Sequence, residues 1–120
     1  MIRLALLLPV LALLSGCGTP PKYAWGHYEQ MIYTAYRAPD KAPTERQIEV
    51  FEKDYQKARS ENKPVPPGFH AYLGYLYFDL GKADEARREF ETEKANFPES
   101  AVFMDRLLAN LSKKGQEVKQ

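Results

Sequence analysis

The 120-residue sequence predicts an all-α domain of about five helices. Apolar residues recur at helical spacing through most of the chain. Proline and glycine clusters cut that pattern into segments, and no run of alternating β-branched residues asks for a strand. The composition is that of a folded chain, 44% hydrophobic and 28% charged. Lys+Arg 17 against Asp+Glu 16 leaves a net charge of +1, too little to draw the chain onto nucleic acid. The single cysteine excludes an internal disulfide framework and argues against a cysteine-based zinc site.

In chain order, Met1-Ile2-Arg3 carries one positive charge and 4–14 is apolar, interrupted only by Pro9. Small residues follow, which completes a secretory signal pattern too short to span a bilayer. The expected organisation is a signal peptide over 1–16, a tether over 17–22, a helical domain over 23–114 and a frayed polar tail over 115–120. Thr19-Pro20-Pro21-Lys22 is a stiff lead. The five residues 18–22 reach at most roughly 17 Å. The domain should therefore ride close to the membrane, with Tyr23 and Trp25 at its proximal start. Trp25 is expected in the core rather than among headgroups.

Helix periodicity covers 25–37 through Trp25, Tyr28, Ile32, Ala35 and Tyr36, and stops before Pro39. A second helix over 44–60 buries Ile48, Phe51, Tyr55 and Ala58, with Thr44 and Gln47 as a capping box. Pro64, Pro66 and Pro67 make 60–67 a rigid loop. The segment 68–80 is apolar or aromatic nearly all round, so neighbours should enclose it. Gly81-Lys82 turns the chain into 83–95, amphipathic through Ala86 and Phe90, which Asn96-Phe97-Pro98 ends. Ser100 is expected to cap a last helix to Leu111, with Val102, Phe103, Leu107 and Leu111 as its stripe.

Leu14, Ser15, Gly16 and Cys17 resemble the bacterial lipobox. The resemblance implies a diacylglycerol on the Cys17 thiol, cleavage before Cys17, and an N-acyl chain on its new amine. Loss of Arg3 would leave 16 basic against 16 acidic residues. A neutral domain gains little from anionic lipid, so the acyl chains must hold it. Gly18 stands where an Asp is the usual inner-membrane retention signal. By that resemblance the protein faces the periplasm from the outer membrane of a two-membrane bacterium.

The stretch 67–100 resembles one tetratricopeptide repeat (TPR). Leu73, Gly74, Tyr77, Gly81, Ala86, Phe90 and Pro98 stand in that family's register. Gly74 and Ala86 are small where two helices cross, Tyr77 and Phe90 fill the space beside them, Gly81 turns and Pro98 ends the unit. His70 and Glu93 depart from the pattern, and Glu93 puts tight packing there in doubt. One repeat length on, Met104, Leu107, Leu108 and Leu111 take first-helix positions. Lipobox, size and repeat layout together resemble a family of small bacterial lipoproteins with TPR-like domains. Its members tend to be encoded beside lipoproteins resembling the curli-secretion channel, which implies an envelope export or assembly complex as partner.

Little in the chain points to catalysis. His27 and His70 are the only histidines, and neither has a second ligand at metal spacing. No nucleophile elbow, phosphate loop or dinucleotide fingerprint occurs. His70 is expected to be satisfied within packing. Glu85, Glu89 and Glu93, interleaved with Arg87, Arg88 and Lys94, read as a salt-bridged wet face. No catalytic residue, metal or cofactor is expected beyond the covalent lipid. Tyrosines cluster at 23–36 and 72–77 and suit an interface. Tyr33, Tyr72 and Tyr75 are the candidate partner groove. The expected function is an outer-membrane-anchored, protein-binding lipoprotein. The alternatives are a pilotin-like chaperone for a channel subunit and a structural envelope lipoprotein without a dedicated client.

Overall fold

The structure, a computed structural model, describes Gly18 and residues 20–117. Leu14, Ser15, Gly16, Cys17 and the expected signal segment lie outside the described residues. Among the described residues there are five α-helices and no strand. They are α1 (Tyr28–Arg37), α2 (Thr44–Ser60), α3 (Phe69–Asp79), α4 (Ala83–Asn96) and α5 (Ala101–Glu117), with 3₁₀ turns at Pro39–Lys41 and Pro98–Ser100. The domain is an all-α stack. The α3–α4 pairing is the most extensive, followed by α4–α5 and α2–α3.

The α3–α4 hairpin rests on two glycines. Gly81 takes φ +74°, a conformation that costs residues with a Cβ. Its N–H donates to Phe78 O at 3.0 Å and that of Lys82 to Tyr77 O at 2.9 Å, so α3 ends in a Schellman motif. Gly74 lets the helices approach: a Cβ there would lie 2.6 Å from Phe90 Cε1. Ala86, Leu73, Leu76, Tyr77 and Phe90 are buried along this seam. On the other side of α3, Phe51 and Phe69 meet edge-on at 5.4 Å, and Tyr28 lies 5.9 Å from each ring.

Helix α1 buries no residue of its own. It is held at its start, where Gly26 takes φ +49° against the Asp54 carboxylate. The His27 backbone N–H donates to Asp54 at 2.7 Å, and its Nδ1 lies 2.9 Å from the same carboxylate. This turn begins the helix at Tyr28, later than the periodicity predicts. It also leaves Trp25 41% exposed against Tyr28, so Trp25 is not the core residue expected.

Four local expectations are corrected. No capping box forms at α2, whose N-cap is Pro43. The Thr44 hydroxyl donates instead to Asp79 at 2.9 Å, and buried Gln47 donates to Ala42 O at 2.8 Å. Ser100 closes a 3₁₀ turn by donating to Phe97 O and does not cap α5. The buried side of α5 is Met104 and Leu111 with Leu107 and Leu108 beside them, while Val102 is 70% and Phe103 59% exposed. Positions 104, 108 and 111 share a helical face and 102 stands on the opposite one. Helix α5 also runs on to Glu117, through residues 115–117 expected as a frayed tail.

Candidate functional site

Between α3 and α5 lies an open groove of about 300 Å³, lined by Gly68, Ala71, Tyr72, Tyr75, Phe103 and Leu107. Its walls are almost entirely apolar. Tyr75 and Leu107 also line an adjoining pocket of about 140 Å³ with Phe78, Phe90 and Asn110, which lengthens the furrow. The Tyr72 and Tyr75 rings stack across one wall with centroids 6.2 Å apart.

These two tyrosines differ in support. The Tyr72 hydroxyl donates to Gln47 Oε1 at 2.7 Å, and Gln47 is itself fixed by its bond to Ala42. Tyr72 is thus part of the scaffold. Tyr75 is 54% exposed and offers its ring to whatever enters the groove. Phe103, which the helical pattern placed in a buried stripe, is the facing wall. The signal that could have found it was the 104–108–111 register, which turns Phe103 outward beside Leu107. Tyr33 does not line this groove: it is 63% exposed on α1, with the Arg37 guanidinium 5.9 Å from its ring centre.

The acidic row on α4 is not the wet face expected. Glu93 is 2% exposed and reaches across to the start of α3, where its carboxylate accepts from Gly68 N–H at 2.6 Å and Ala71 N–H at 3.3 Å. It thereby satisfies donors that the first turn of a helix leaves without partners. Glu89 Oε2 lies 2.7 Å from Nδ1 of buried His70. A carboxylate only accepts, so Nδ1–H is the donor. His70 and Glu93, the two departures from the repeat pattern, both join α3 to α4.

Three phenols titrate above the ordinary tyrosine value. Burial raises Tyr77 most, helped by its hydrogen bond to Glu52. Burial also raises Tyr28, with Glu93 and Tyr72 adding to it, and Tyr72, with Tyr75 adding to it. A group whose folded pKa is raised contributes stability that is complete below its unfolded pKa and is lost as pH rises beyond it. Unfolded tyrosine ionises near pH 10. Stability is therefore expected to stay level to about pH 9 and fall above about pH 10. Tyr77→Phe should shallow that fall; an unchanged slope in urea titrations across pH 8–11 would contradict it.

Among the described residues no group of three His, Cys, Asp or Glu side chains could hold a metal ion, and no helix is long and apolar enough to cross a membrane. One family model, described as a domain of unknown function (DUF4810), matches residues 22–107. That span runs from the lead through the groove residues of α5. No curated protein and no solved structure matches the chain.

Proposed function

The chain belongs to the DUF4810 family, and we propose that it is a lipid-anchored docking protein of the bacterial envelope. Its α3–α5 groove receives a protein partner. The observation that carries this reading is the groove itself: Tyr75 and Phe103, both more than half exposed, face one apolar furrow on a rigid scaffold. Exposed aromatic rings on such a scaffold are the composition of interface hot spots. The close α3–α4 crossing at Gly74, the turn at Gly81 and the stop at Pro98 support reading this pair as TPR-like. In that reading α5 is the first helix of a further unit, and its open side is where a partner's segment packs.

Lipid on Cys17 would hold the domain at the outer membrane, facing the periplasm. Confinement raises the effective concentration of a partner in the same membrane, so modest contacts suffice. A curli-secretion-channel-like lipoprotein is the partner class that the family resemblance suggests.

Site-directed photo-crosslinking in cells tests both halves. A photoreactive residue at Tyr75 or Phe103 is expected to trap one discrete partner, while the same residue at exposed Glu45 on α2 traps none. Cys17→Ala should release the protein from the membrane fraction and abolish the adduct. Tyr75→Ala should weaken the complex about 30-fold, the effect of a 2 kcal/mol hot spot. Adducts equal at all three positions, or membrane retention of Cys17→Ala with unchanged mass, would sink the proposal. Tyr72→Phe is the proper control for the pinned ring, because Tyr72→Ala also removes packing from the core.

A further inference from the structure

A second concavity, of about 590 Å³, lies where the lead meets the ends of α2 and α4. Two contacts hold the lead along it. The Ala24 N–H donates to Pro64 O at 2.8 Å, and the Tyr23 ring meets Phe97 edge-on at 6.3 Å. They set Lys22 in the same wall as Arg59 and Lys63, against a single carboxylate, Glu99. No described carboxylate forms an ion pair with any of the three cations. Nor are they used to cap α2. Its last carbonyls accept instead from backbone, with Glu61 N–H on Lys57 O, Asn62 N–H on Arg59 O and Lys63 N–H on Ala58 O.

Aromatic faces position two of these charges. The Lys22 ammonium lies 5.2 Å from the Tyr23 ring centre, and the Arg59 guanidinium 5.9 Å from that of Tyr55. A guanidinium carries five N–H donors, so a contact of this kind leaves donors for another acceptor. His70 also lines the cleft, 2% exposed, and its Nε2, on the ring edge away from Glu89, has no hydrogen-bond partner among the described residues.

We infer that this cleft binds the phosphate of an anionic lipid headgroup in the leaflet that carries the Cys17 lipid, an inference that rests on the anchor proposed above. The chain as a whole is nearly neutral, so its surface has no general pull toward anionic lipid. The cleft differs because it concentrates three unpaired cations beside one carboxylate. Arg59 suits two phosphate oxygens at once, and Lys22 and Lys63 supply point charges. The five residues 18–22, the last of which stands in the cleft wall, extend at most roughly 17 Å from Cys17, which keeps the site within reach of the headgroup layer. Bound there, the phosphate fixes which side of the tethered domain faces the bilayer.

Native mass spectrometry of the lipidated protein, released from neutral detergent, tests the site with three probes: phosphatidylglycerol, phosphatidylcholine and inorganic phosphate. Phosphatidylglycerol is expected to stay bound and phosphatidylcholine to leave. Arg59→Ala with Lys63→Ala should weaken retention about 25-fold, from about fivefold per cation, whereas Arg59→Lys with Lys63→Arg keeps it. Both cations are exposed, so the melting temperature should not move. Lys63→Glu repeats the test with the Arg59–Tyr55 contact intact. Equal retention of phosphatidylglycerol by wild type and the alanine pair, or equal retention of the two lipids, overturns the inference. So does retention of inorganic phosphate without phosphatidylglycerol, which assigns the cleft to a soluble anion. The protein's own mass reports the lipid on Cys17, so failure of the anchor is read separately from failure of the cleft.

Discussion

Glu93→Ala is expected to lower the melting temperature by roughly 12–24 °C, the equivalent of about 3 kcal/mol in a domain of this size. The side chain is buried on α4, yet what it serves is the start of α3. Gly68, the N-cap residue, has φ +89° and no side chain to offer, and no local side chain caps this end. The carboxylate accepts from the N–H groups of Gly68 and Ala71 where the helix dipole is positive. Hydrogen bonds to a charged acceptor contribute about 1.5–3 kcal/mol, and a buried donor left without one costs about as much. Glu93→Gln keeps one carbonyl acceptor and the same volume, so it should lose about half as much. Glu91→Ala, at an exposed position two residues away, should stay within about 0.5 kcal/mol of wild type. If thermal melts place Glu93→Ala beside Glu91→Ala, the cross-helix cap is not stabilising α3.

How much of this was legible varies with the range of the interaction. The helical class and the order of five helices follow from local signals, because periodicity and proline stops act within a few residues. The α3 and α4 spans are read nearly to the residue. Glu93 was not legible: its partners are backbone N–H groups more than twenty residues earlier, and backbone donors leave no mark in a sequence. At a position expected to be small it reads as a packing fault, whereas the carboxylate is what the facing helix end needs. Thr44 failed for the converse reason. Its local capping geometry competes with Asp79 on α3, and the tertiary partner wins.

The groove divides the same way. Tyr72 and Tyr75 stand out as aromatic residues on one helix, but Phe103 is hidden by its own hydrophobicity. An apolar residue at helical spacing reads as core unless the facing helix is known. Two stripes compete on α5, and Met104 with Leu111 wins because α4 packs on that side. Tyr33 is excluded because α1 is placed by its N-terminal turn at Asp54, a geometry set by Gly26 and not by the tyrosine spacing.

The second large effect is a reversal of sign. In the interior of an exposed helix Gly→Ala stabilises by about 1 kcal/mol. At Gly74 the added Cβ would sit 2.6 Å from Phe90 Cε1, 2.7 Å from Phe90 Cδ1 and 3.1 Å from Glu89 Cβ. Phe90 is 2% exposed on the facing helix, so relieving the overlap requires its buried ring or α4 itself to shift. Overpacking a core costs about 1–3 kcal/mol, enough to outweigh the helix gain. Gly74→Ala should therefore destabilise by about 1–2 kcal/mol, and Gly74→Val by more. Phe90→Ala alone should cost about 3–5 kcal/mol through the cavity it opens. The informative measurement is the cycle with Phe90→Leu, whose shorter side chain withdraws from the glycine. In that background Gly74→Ala should become neutral or stabilising, giving a coupling of at least about 1 kcal/mol in urea unfolding. Additive effects would mean that Gly74 is present for some reason other than the approach of α4.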